Sequence, residues 1–215
     1  MPFQNRVTPE GEIIATPHRG LMLGNRGGAF HLPDRTLGAR RWASRQWIAC
    51  VLEFKGRQRA AMMQPNRYTE LFFLDEATAL AAGHRPCFEC RRRDAEHFAA
   101  LWAEARGWAA PARAPEMDLA LQAERVREGG HKVTYRAQLA ALPDGTFVRT
   151  EGDGAPHPYL VDEQRLLAWS PAGYTHAAPV RKRLDVEVLT PRSIVAVLSA
   201  GYRPMLDPSA AALRG

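Results

Sequence analysis

With 215 residues and 46% apolar side chains, the chain is long enough to bury a substantial core without disulfide staples. Its three cysteines exclude a secreted disulfide framework and suit a reducing compartment. No apolar run approaches the roughly 18 residues a membrane span needs, and "MPFQNRVTPEGEII" lacks the apolar stretch of a signal peptide. A cytoplasmic protein with no membrane partner is therefore expected. The net charge of +6 is unevenly placed: residues 1–60 hold ten Lys/Arg against four Asp/Glu, and the remainder balances.

Residues 1–40 read as a strand or two joined by glycine turns, as in "GLMLGNRGGAFHLP". "RQWIACVLEFKGRQRAAMM" predicts a β-hairpin around Lys55-Gly56, and "YTELFFL" predicts a further short strand. In "DEATALAAG", Asp75 is a side-chain N-cap and Gly83 a C-terminal stop, framing a helix of about two turns. Ala95, Phe98, Ala99, Trp102 and Ala105 then recur at helical spacing up to Gly107. "WAAPARAP" breaks that pattern and divides the chain into residues 1–108 and 109–215. "PEMDLALQAERVREGG" is a helix opened by Pro115 and closed by Gly129-Gly130. "KVTYRAQLAALPDGTFVRT" predicts two strands around the Pro143-Asp144-Gly145 turn. "PYLV", "LLAW" and "LDVEVL" are short strands, and "TPRSIVAVLSAG" is a helix with Thr190 as N-cap and Pro191 at its first position. The fold class is α+β.

The densest chemistry is "RPCFEC". Cys87 and Cys90 stand at the spacing that turns two thiolates toward one zinc ion, with intervening backbone N–H groups facing the sulfurs. The helix that follows adds a positive dipole end, which also favours thiolate. A redox pair is the competing reading, but it requires a strand before the turn, and here a helix ending in glycine precedes it. Two thiolates do not complete a tetrahedral site. The remaining candidates are Cys50, on the strand "WIACVLEF", and the histidines His31, His84 and His97. Cys50 also reads as an ordinary buried cysteine. His84 also reads as a helix-end residue, and His97 as a solvent-facing one.

The segment "YTELFFLDEATALAAGHRPCFECRR" resembles the N-terminal metal-binding domain of the Ada DNA-repair family, and the "AxxAAGxRPCxxC" core carries the resemblance. Upstream, "LMLGNRGGAFHLPD" resembles the start of the same fold, where a "fHxPxC" segment supplies a histidine and a cysteine. His31 and Pro33 match that pattern; Arg35 stands at the cysteine position. The resemblance covers residues 20–106. It implies a small antiparallel sheet with helices around zinc, and a ligand set of His31, Cys50, Cys87 and Cys90 in which Cys50 replaces the lost cysteine. His84 is the alternative to His31. The family's methyl transfer does not carry over, because a fourth cysteine and the methyl-accepting segment have no counterpart.

Three functions follow as expectations. In the first, a structural zinc ion holds a nucleic-acid-binding or repair-associated module. Arg40, Arg41, Arg45, Lys55, Arg57 and Arg59 would meet phosphates there, with Trp42 and Trp47 stacking on bases or lying in the core. In the second, the C-terminal α+β half supplies an enzyme pocket from among His131, His157, His176, Tyr174, Asp153 and Asp162, whose spacing spells no known catalytic set. In the third, the zinc module serves only as a scaffold for interaction.

Overall fold

The computed structural model describes residues 1–56, 62–65, 67–150, 157–180 and 184–214. Among the described residues, two six-stranded sheets and five α-helices make an α+β fold. In chain order the first sheet has β1 (Gln4–Val7), β2 (Ile13–Ala15), β3 (Met22–Arg26), β4 (Trp47–Val51), β5 (Leu71–Phe73) and β6 (Arg85–Pro86). Helix α1 (Glu76–Ala81) separates β5 from β6; α2 (Arg92–Glu104) and α3 (Ala114–Arg125) follow. The second sheet has β7 (Tyr135–Gln138), β8 (Phe147–Thr150), β9 (His157–Asp162), β10 (Arg165–Ser170), β11 (Gly173–Pro179) and β12 (Asp185–Val188). The chain closes with α4 (Arg192–Ser199) and α5 (Pro208–Ala212). No described helix is long and apolar enough to cross a membrane.

The first sheet runs β2-β1-β5-β3-β4-β6. It is mixed rather than purely antiparallel, since β1 pairs β5 and β4 pairs β6 in parallel. The expected hairpin at Lys55-Gly56 does not have β4 as one arm, because β3 and β6 occupy both edges of that strand. Lys55 and Gly56 do form a turn, with φ of 51° and 63°. The expected second arm falls partly on residues 57–61, which lie outside the described residues.

Helix α1 explains its own alanines. All six of its residues are buried, and a helix covered on every side must be hydrophobic or satisfied all round. Ala79 packs into the core of the first sheet, Ala77 and Ala81 into that of the second, and Leu80 into the cluster formed with α2, α3 and α4. Methyl side chains let three layers approach one short helix. Its start is the predicted one: Asp75 Oδ1 accepts from the Thr78 backbone N–H at 2.9 Å. Its end is a Schellman motif, in which Gly83 N–H bonds Leu80 O and His84 N–H bonds Ala79 O. Gly83 takes a φ of +85°, one residue beyond the Ala82 cap, and a Cβ there would sit 2.7 Å from Arg125 Cδ.

The two strands expected around Pro143-Asp144-Gly145 are β7 and β8, on either side of that turn, with β12 between them in the order β11-β10-β9-β8-β12-β7. Two further expectations are corrected. Helix α3 stops at Arg125, where Val126 turns extended to bridge Lys132, and Gly129-Gly130 belong to a separate short 3-10 turn. Pro191, not Thr190, caps α4; the Thr190 hydroxyl instead accepts from Phe147 N–H at 2.8 Å.

Candidate metal centre

Strand register brings the first two thiols together. Parallel β4 and β6 pair Ile48 with Arg85 and Ala49 with Pro86, so Cys50 and Cys87 are each the next residue along. The Cys87 N–H donates to Ala49 O at 3.0 Å and fixes this alignment beyond the strand end. Trp47 and Ala49 take the buried face of β4, which leaves Cys50 on the other. The "CFEC" turn then returns Cys90 to the same place. The three Sγ atoms lie within 4.8 Å of one another, Cys87 buried and the other two half-buried.

The donor set fits a thiophilic cation. A tetrahedral zinc ion with Zn–S bonds of about 2.3 Å holds its sulfurs roughly 3.8 Å apart, inside the observed span. Backbone N–H groups point at the sulfurs as a thiolate requires: Glu89 N–H lies 3.4 Å from Cys87 Sγ, and Val51 N–H bonds Cys90. The protons are unevenly shared. Hydrogen bonds from the Cys50 and Cys90 thiols, helped by the Cys90 and Glu89 N–H groups, hold Cys87 far below the usual thiol range. The same bonds to Cys87 and Cys90 push Cys50 far upward, with burial adding to the effect. One thiolate is thus favoured and three are not, unless a cation occupies their midst.

The predicted histidines are not brought to the sulfurs. His31 Nδ1 lies 2.8 Å from Thr69 Oγ1 and its Nε2 3.1 Å from Gln64 O, so both ring nitrogens are occupied. Arg35 sits at the tip of the tight turn between His31 and Leu37, with a φ of 68°. His84 is fully buried between Trp47 and Phe73, and its Nε2 accepts from Arg26 Nε at 3.4 Å. Burial and the charges of Arg26 and Arg125 hold it neutral. His97 stacks on Tyr202. Among the described residues, no histidine nitrogen or carboxylate oxygen joins the three sulfurs.

Of the predicted phosphate contacts, Arg40, Arg45 and Lys55 are exposed and Arg41 is half-buried; Arg57 and Arg59 lie outside the described residues. Trp47 is core, at 1% exposure, and Trp42 is half-buried beside it with ring centroids 5.9 Å apart. The C-terminal candidates do not converge. Tyr174 donates to Asp75, Asp162 is held by Arg214, His157 and His176 each flank Tyr159, and Asp153 lies outside the described residues. His131 is exposed.

Fold and site together define an α+β protein with a clustered three-cysteine centre. No family model, no curated protein and no solved structure matches the chain.

Proposed function

We propose that Cys50, Cys87 and Cys90 hold a structural zinc ion within a nucleic-acid-binding protein of the Ada-like kind. The convergence of three thiols from two separated chain segments carries the metal half of this reading. Bound zinc supplies the positive charge that lets all three thiols ionise, and it clamps β4 to the turn after β6. Cys50 and Cys90 are half-buried, and His31 remains with Thr69 and Gln64. The nucleic-acid half rests on the exposed Arg40, Arg45 and Lys55 beside half-buried Arg41 and Trp42.

Cobalt substitution tests the centre. The protein as purified should bind one metal ion per chain, and cobalt should give an intense thiolate charge-transfer band. Cys50→Ser should weaken that band as much as Cys90→Ser does, whereas His31→Ala should leave it unchanged. A band insensitive to Cys50→Ser removes that residue from the centre. For the second half, binding to single-stranded and duplex DNA and RNA should weaken as salt rises, through counterion release. No binding at low salt by the metal-loaded protein refutes it.

A further inference from the structure

A cleft of about 1080 Å³ lies between the first sheet and the segment that follows α3. It is slightly larger than the usual range for small-molecule sites, about 300–1,000 Å³. Its wall carries six Lys/Arg against two carboxylates, Glu10 and Glu12.

Two of those cations are almost wholly buried: Arg26 is 2% exposed and Arg125 1%. Both guanidiniums lie 4.0 Å from the Trp47 ring centroid. Arg26 donates to Gly11 O at 2.8 Å, Arg41 O at 3.3 Å and His84 Nε2 at 3.4 Å. Arg125 donates to Gly83 O at 2.8 Å, Arg45 O at 2.6 Å and Gln122 Oε1 at 2.7 Å, while its buried Nε bonds nothing. The Lys132 ammonium donates to Ala81 O. Thr8, on the same wall, has a buried hydroxyl without a partner. Among the described residues, no carboxylate lies within ion-pair distance of Arg26, Arg125 or Lys132; Asp118 acts on Arg125 and Glu10 on Lys132 only from farther off.

The rest of the molecule shows what the cleft omits. Arg85 and Arg91 are buried to a similar degree, and each has a bidentate carboxylate: Asp118 for Arg85 at 2.8 Å and 2.8 Å, Glu76 for Arg91 at 2.8 Å and 2.9 Å. Neutral acceptors satisfy N–H donors but do not cancel charge, and an uncompensated buried cation is costly. Burial, then Arg26, pushes Lys132 down to about 7, with Glu10 alone opposing. Burial and neighbouring Arg125 and Arg41 likewise push Arg26 down. Groups perturbed in this way inside a cleft are a mark of a ligand site.

We propose that the cleft binds a multiply charged phosphorylated ligand, a nucleoside phosphate or a phosphorylated strand end, whose oxygens take the place that carboxylates fill beside Arg85 and Arg91. Guanidinium groups match phosphate oxygens in pairs, and half-buried Trp42 offers an aromatic face at the wall. The inference deepens the nucleic-acid reading but does not depend on the thiol centre.

Calorimetric titration of the metal-loaded full chain with inorganic pyrophosphate, ATP, and a single-stranded oligonucleotide with and without a 5′-phosphate tests it. Pyrophosphate and ATP should bind. Lys132→Gln and Arg41→Gln should each weaken them about tenfold or more, while Arg45→Gln with Lys55→Gln, outside the cleft, should not. Tighter binding of the 5′-phosphorylated oligonucleotide identifies a strand end as the source; ATP binding alone identifies a free nucleotide and refutes the nucleic-acid reading while leaving the cleft. Oligonucleotide binding that is lost in the Arg45/Lys55 variant and indifferent to Lys132 and Arg41 overturns the cleft and leaves the nucleic-acid reading. If Lys132→Gln does not fold, half-buried Arg41 decides, and failure of pyrophosphate to bind or to raise the melting temperature of the unaltered protein overturns the proposal directly.

Discussion

The Tyr174 hydroxyl donates to Asp75 Oδ2 at 2.7 Å, across 99 residues of chain. Asp75 also caps α1 and accepts from Thr78 Oγ1 and the Asp207 N–H. The next residue, Glu76, accepts from Arg91, from the Tyr202 hydroxyl at 2.6 Å and from the Met205 N–H at 3.0 Å. Two adjacent carboxylates at one helix start therefore hold the second sheet, α2 and the C-terminal segment together. Such a network is stabilising only while every member is satisfied.

Tyr174→Phe removes one buried bond to that network and keeps the ring. It should lower stability by about 1.5–3 kcal/mol, the range for hydrogen bonds to charged groups. Urea unfolding provides the measure, and an unchanged midpoint contradicts the assigned role. Asp75→Ala should cost more, since it strands the Thr78, Tyr174 and Asp207 donors together.

Removing the metal should loosen the β4–β6 junction. Treatment with a strong chelator is expected to lower the melting temperature and to expose three titratable thiols, because ligand assembly and local folding are coupled. Thiol reactivity that is the same before and after chelation argues against a metal on these sulfurs.

The cationic cleft predicts an unusual pH profile. Lys132 has a folded pKa near 7, below its ordinary 10.5. Between those values the unfolded chain binds the extra proton, so stability rises with pH across that window. The groups facing the ammonium are Arg26, Arg125 and Arg149, with Glu10 opposed; burial also pushes Arg26 and Arg125 down to about 9, so the lower part of the window belongs to Lys132. Lys132→Met should flatten the rise, read by chemical denaturation from pH 7 to 10 on metal-loaded protein. A steeper rise in the variant contradicts the assignment.

Helix α1 has no room for a larger side chain. Ala79→Leu adds volume where the helix meets the first sheet at full burial. Overpacking of this kind costs about 1–3 kcal/mol. Ala120→Leu, on the half-buried side of α3, serves as the tolerated comparison, and equal costs would show that α1 is not the crowded junction.

Local chemistry was enough to read some of this from the sequence. The Asp75 cap, the glycine stop after α1, the apolar period of α2 and the facing pair Cys87 and Cys90 each depend on residues within a few positions of one another. The third thiol needed more. Cys50 joins the centre through parallel pairing of β4 with a two-residue strand that begins 35 positions later at Arg85, and no periodicity in either segment announces that partner. The same holds for β12 between β7 and β8, where Val188 pairs with both Tyr135 and Val148. His31 matched a sequence pattern, yet its ring bonds Thr69 and Gln64, which only the folded loops bring near. The cleft was least legible of all. Arg26 and Arg125 look like any surface arginines in sequence, and the second lies on a helix whose spacing predicts solvent exposure as readily as burial. Packing against Trp47 placed both inside, because burial and the absence of a nearby carboxylate are properties of three-dimensional neighbours and not of neighbours along the chain.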